Sequence, residues 1–119
     1  IDAARGRALP CAVASSSSRF LVEATLARFG LLELFDAVVT GDCVTRPKPA
    51  PDIFLEAAAR LNTSPVECVV LEDSLAGVRA ARAASMTVIA VPEAGLERFV
   101  DLADAVVSDL HAARALLAM

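Results

Sequence analysis

"VVLEDSLAGVRAA", Val69 to Ala81, runs apolar residues straight into two adjacent carboxylates and then into an Ala-rich helical pattern. Strand, polar turn and helix in that order make half of a βαβ unit, and the rest of the chain repeats the theme. Apolar runs recur at 11–15 (CAVAS), 36–40 (DAVVT), 68–72 (CVVLE), 87–91 (TVIAV) and 104–108 (DAVVS). Such runs, with almost no polar alternation, predict strands of a parallel sheet covered on both faces. Between them, 18–29, 51–61 and 74–84 carry helical spacing. In the first, Val22, Leu26 and Phe29 fall at i, i+4 and i+7 on one face, with Gly30 as C-cap. The second has Pro51 in its first turn, where the missing N–H costs nothing. In the third, Leu75 and Val78 share a face while Arg79 and Arg82 are left for water. Ser108 is placed to cap a last helix carrying Leu110, Ala113 and Leu117 on one side. The alternation predicts an α/β fold, a Rossmann-like doubly wound parallel sheet with helices on both faces.

A chain of 119 residues fits one compact domain. Its 56% hydrophobic content, with five Phe and neither Trp nor Tyr, suits closely packed helices on a sheet. A net charge of −4 and a pI near 4.9 offer no basic surface to nucleic acid or to an anionic membrane, so neither is expected as a partner. No apolar run approaches the roughly 20 residues of a membrane span. Cys11, Cys43 and Cys68 lack metal-site spacing, and two lie inside apolar runs, which predicts free thiols in a reducing cytoplasm. The opening "IDAARGRALP" reads as the end of an amphipathic helix, so a piece of something longer is expected.

In open α/β sheets ligands bind beyond the carboxyl ends of the strands. Three polar stretches stand there. Ser15 and Ser16 end the first strand and precede a helix whose free N–H groups favour an anion. Lys48 sits between two prolines, in a turn that fixes where its ammonium points. Glu72 and Asp73 end a buried run side by side, where like charges repel unless a cation or donors compensate them. Each has a plainer reading: serines that only cap, a solvated loop lysine, an aspartate that caps while Glu72 faces water. His111, the single histidine, reads as a surface residue. Together, an anion site, a cation and paired carboxylates suit phosphoryl transfer, with carboxylates holding Mg²⁺.

"CAVASSS", "KPAPDIFLEAA" and "VVLEDSLAGVRAARAA", in this order, resemble motifs two, three and four of the haloacid dehalogenase superfamily, in its phosphoglycolate phosphatase and β-phosphoglucomutase-like branch. The resemblance spans roughly residues 8–92. It implies a Mg²⁺-dependent phosphatase acting on a small phosphorylated metabolite through an aspartyl-phosphate. By motif position, Ser15 bonds the transferring phosphoryl group with help from the Ser16 N–H, Lys48 neutralises charge, Asp73 binds Mg²⁺, and Glu72 binds or orients it. A sugar-phosphate mutase of the same branch, a metal-free dehalogenase and a non-catalytic scaffold are the alternatives; adjacent Glu72 and Asp73 speak against the dehalogenase.

The family's first motif, an apolar strand ending in D-x-D-G-[TV], has no match here; Asp2, Asp36, Asp42 and Asp52 all lack that setting. The helical cap is missing too. Residues 1–119 are therefore expected to be the C-terminal portion of such a core, inactive alone. The family's topology puts the missing strand between those ending at Ser15 and Glu72. The expected relief of that gap is a strand-exchanged homo-oligomer or a separate N-terminal segment.

Overall fold

The computed structural model describes residues 1, 4 and 6–117. Asp2 and the side chain of Leu117 lie outside the described residues. Five strands form where the apolar runs predict them, each trimmed: β1 (Ala12–Ser15), β2 (Ala37–Thr40), β3 (Val69–Glu72), β4 (Thr87–Ala90) and β5, shortened to Ala105–Val106. Among the described residues lie the α-helices α1 (Arg19–Arg28), α2 (Asp52–Arg60), α3 (Leu75–Ala83) and α4 (Leu110–Leu117).

All observed strand pairs are parallel, β1 with β2, β3 with β4, and β4 with β5. They make two sheets, β1–β2 and β3–β4–β5, with no ladder between β1 and β3 among the described residues. One core nevertheless joins both. Ile53, Phe54, Ala57 and Ala58 of α2 pack in the same cluster as Val39, Val70, Val88 and Val78 of β2, β3, β4 and α3. Helices α2 and α3 touch each other, α2 against β1 and β2, α3 against β3 and β4. A shared face for α2 and α3 is what right-handed crossovers from β2 to β3 and from β3 to β4 would give, and the contact between the two helices agrees with it. Helix α1 packs instead against β2.

Helix ends are stopped by a repeated device. Gly30, Asn62 and Ser85 follow α1, α2 and α3 with φ of +66°, +52° and +66°. The next residue's N–H then donates back, Leu31 to Leu26 O (2.8 Å), Thr63 to Ala58 O (3.0 Å) and Met86 to Ala81 O (3.0 Å).

Three expectations need correction. Phe29 is 66% exposed, because it is the C-cap of α1, beyond the reach of the sheet; its ring lies 5.7 Å from the Arg28 guanidinium. The cap of α4 is Asp109, whose Oδ1 accepts the Ala112 N–H at 2.8 Å, in place of Ser108, and Leu110 is exposed while Ala113 is buried. Finally, β3 is covered on one face only. Val70 is buried, but Val69 and Leu71 are 47% and 43% exposed.

Candidate active site

An open cavity of about 690 Å³ lies at the carboxyl ends of β1 and β3, between the two sheets. Ser15, Ser16, Lys48, Glu72 and Asp73 all line it, so five residues singled out along 59 positions of sequence meet at one place. Ser17, Ser74, Glu93 and Leu110 are further lining residues.

The serine loop is built from backbone contacts. Ser15 Oγ accepts the Ser17 N–H at 3.2 Å, which leaves its own proton free to donate. Ser18, and neither Ser15 nor Ser16, caps α1 by accepting the Leu21 N–H at 3.4 Å. The loop rests on the end of β2, where the Gly41 N–H donates to Ser17 O at 3.0 Å. A Cβ at Gly41 would sit 2.4 Å from Ser16 O, so only glycine allows this approach.

Lys48 is the only lysine in the chain. Its turn includes a cis Lys48–Pro49 bond. The ammonium donates to Glu72 Oε2 at 2.9 Å and to Ala14 O at 3.3 Å, and lies 5.0 Å from the Phe54 ring centre. The side chains of Lys48 and Glu72 are only 11% and 9% exposed. The plain reading of a solvated loop lysine therefore fails, and the ion pair links the turn before α2 to the end of β3.

Glu72 also turns inward. Its Oε1 accepts from the Asp73 N–H (3.1 Å), the Ser74 N–H (3.3 Å) and the Ser74 hydroxyl (3.1 Å). Ser74 caps α3 by accepting the Gly77 N–H at 3.0 Å, a role the plain reading gave to Asp73. Burial pushes the Glu72 carboxyl up, but the Lys48 ammonium and the Asp73 and Ser74 donors outweigh it and hold it below the usual range. Asp73 is exposed and shifts the other way, raised by its hydrogen bond to Glu72, by partial burial and by the charge of Glu72.

This donor set bears on a metal. Two neighbouring carboxylates, one of them raised by the other, suit a cation in charge. They do not suit it in number. Both oxygens of Glu72 already hold protein donors, Asp73 alone is open, and among the described residues no group of three or more metal-binding side chains assembles. Mg²⁺ asks for roughly six ligands.

A second polar cluster, unread in the sequence, lies behind the serine loop. Thr40 is fully buried and its hydroxyl bonds the Asp42 carboxylate. Cys43 lies 3.4 Å from that hydroxyl and 3.3 Å from Arg19 Nη2. The Thr40 hydroxyl and backbone, then the Arg19 guanidinium, pull its thiol down to about 7. Asp42 also accepts the Arg19 N–H at 3.3 Å, tying the end of β2 to the start of α1. The one sequence signal for this cluster was "TGDC", a glycine and two polar residues straight after an apolar strand.

Parallel strands, a serine loop, a buried lysine and a carboxylate pair at the strand ends define an α/β domain with a polar, charged site at the carboxyl ends of its strands. Residues 1–91 match the haloacid dehalogenase-like hydrolase family, and the chain belongs to it. It is 49% identical over 82 residues to the fructose-1-phosphate phosphatase of Escherichia coli, covering 69% of this chain and 44% of that protein. It is 53% identical over 88 residues to the chloroplastic protein SUPPRESSOR OF QUENCHING 1 of Arabidopsis thaliana, 73% of this chain and 8% of that one. A haloacid dehalogenase family hydrolase from Deinococcus radiodurans, solved with phosphate and sodium bound, superposes with a TM-score of 0.90 at 34% identity. That match covers 98% of this chain and 55% of the other. The chain thus spans about half or less of the relatives it matches.

Proposed function

We propose that this chain is the C-terminal portion of the core of a Mg²⁺-dependent phosphatase that acts on a small phosphorylated metabolite. The observation that carries this reading is the convergence of Ser15, Ser16, Lys48, Glu72 and Asp73 on one cavity. The Ser15 hydroxyl and the Ser16 N–H donate to phosphate oxygens, and the Lys48 ammonium offsets their charge. Glu72 orients Lys48. Asp73 is the open carboxylate for a divalent cation, whose remaining ligands come from outside this chain. Such a cation, when bound, supplies charge stabilisation at the phosphate. The relatives act on, or were solved with, small phosphate species, which supports the substrate class.

The carboxylate that takes the phosphoryl group also lies outside this set. The acidic residues lining the cavity are Glu72, Asp73 and Glu93, and none ends a strand in the D-x-D-G setting the family uses. The chain alone is therefore inactive, and a cap from the rest of the protein selects the substrate. The same observation favours a second reading, a non-catalytic scaffold that keeps the fold without a nucleophile. The free thiols of Cys43 and Cys68 suit a reducing, cytoplasmic setting.

The test compares this chain with the full-length protein that carries it, on p-nitrophenyl phosphate with Mg²⁺. Turnover is expected from the longer protein only, and Asp73→Asn there should lower it by about 10²–10³-fold. Turnover by the 119-residue chain that vanishes in Lys48→Ala would overturn the assignment of an external nucleophile. A longer protein without D-x-D-G and without turnover would favour the scaffold.

A further inference from the structure

Gly77 lies in the first turn of α3, is buried, and has no room for a side chain. A Cβ built there would stand 1.9 Å from Cδ, 2.2 Å from Cγ and 2.2 Å from Oε2 of Glu72, so its three nearest neighbours all belong to one residue. Its φ is not left-handed, so the requirement is for space and not for backbone freedom. Glycine is a poor helix former, and at this position it gains nothing locally.

A glutamate carboxylate would normally swing aside for a methyl group. Here it is pinned. Oε2 holds Lys48 Nζ at 2.9 Å, and Oε1 holds the Asp73 N–H, the Ser74 N–H and the Ser74 hydroxyl at 3.1–3.3 Å. The Ser74 oxygen in turn takes the Gly77 N–H at 3.0 Å. Any movement of Glu72 away from position 77 breaks some of these contacts, and the Lys48 ammonium loses its only carboxylate partner among the described residues.

We infer that Gly77 is a positioning residue: its bare backbone is the seat of the Glu72 carboxylate, and through Glu72 it aims the Lys48 ammonium into the cavity. The link to phosphoryl transfer rests on the reading above, whereas the packing relation stands on geometry alone.

Because Lys48 is the only lysine, acylation by an amine-reactive ester, read by mass spectrometry of the peptide, reports its freedom without any turnover. The purified protein is compared with Gly77→Ala, Glu72→Ala and the double variant. Lys48 should be acylated at least about five-fold faster in Gly77→Ala than in the parent, and the double variant should match Glu72→Ala within about two-fold, since coupled sites do not add. A folded Gly77→Ala with Lys48 acylated at the parental rate overturns the inference, as do effects that multiply. Should Gly77→Ala fail to fold, thermal melting decides. With the Glu72 side chain gone, alanine is the better helix former, so the double variant should melt no lower than Glu72→Ala. A double variant that melts lower, or stays unfolded, overturns the inference. These readings hold whether or not the parent binds inorganic phosphate, a titration that tests the phosphatase reading alone.

Discussion

At the scale of single residues, the Lys48–Glu72 pair dominates the site. Both side chains are nearly buried, and removing one partner of such a pair leaves an uncompensated charge. Lys48→Met in metal-free buffer should therefore lower the unfolding free energy at pH 7 by about 3 kcal/mol. The pH dependence has a definite sign. In the parent, Lys48 holds the folded Glu72 carboxyl below its ordinary 4.5, so its stabilisation is present above that value and lost as pH falls through the folded pKa. In the variant only the Asp73 and Ser74 donors still oppose burial, so the carboxyl rises relative to the parent and sheds its penalty by taking a proton. The difference between the two proteins should shrink from pH 7 towards pH 4, and urea melts at both would show it. A difference that is constant with pH would mean that Glu72 is not Lys48's energetic partner.

At the scale of elements, α2 does more than fill space. Its inner face, Ile53, Phe54, Ala57 and Ala58, is buried against strands of both sheets, while Leu55 points out at 41% exposure. Ile53→Ala should cost about 2–5 kcal/mol through lost transfer and an unfilled cavity. Leu55→Ala should stay within about 1 kcal/mol, as surface changes do. Denaturant melts of the two variants test this, and equal losses would contradict the placement of α2 as the bridge. The ends of the helices were less legible than their faces. Gly30 announced its left-handed stop, whereas Asn62 and Ser85 adopt the same conformation without glycine, held by the returning hydrogen bonds of Thr63 and Met86.

At the scale of the whole molecule, the sheet is divided. Among the described residues β1 and β3 each use one edge for pairing, and the apolar outer face of β3 stands open at Val69 and Leu71. An unpaired backbone group kept from water costs about 1–3 kcal/mol, so a bare gap several residues long invites another strand. We propose that a strand from a second copy or from another segment of the protein fills it. Light scattering with intact-mass analysis of the purified chain should then show an assembly or an accompanying peptide. A stable monomer at 12.4 kDa with no companion would refute this.

What the sequence by itself determined is the repeating part: apolar runs that must be buried, helical spacing between them, and motif order that brings serine, lysine and carboxylates to strand ends. The runs and the spacing follow from local periodicity, the β-α alternation leaves few ways to connect them, and the motif order is read from the family resemblance. Only the tertiary structure decided the rest. Phe29 keeps the right helical phase yet lies outside, because the sheet ends before it. Glu72 turns inward because Lys48, 24 positions away, waits there, and Gly77 must be bare because Glu72 does. The Thr40–Cys43 cluster forms because Arg19 reaches it from another helix. Each depends on partners far apart in the chain, which no local pattern encodes.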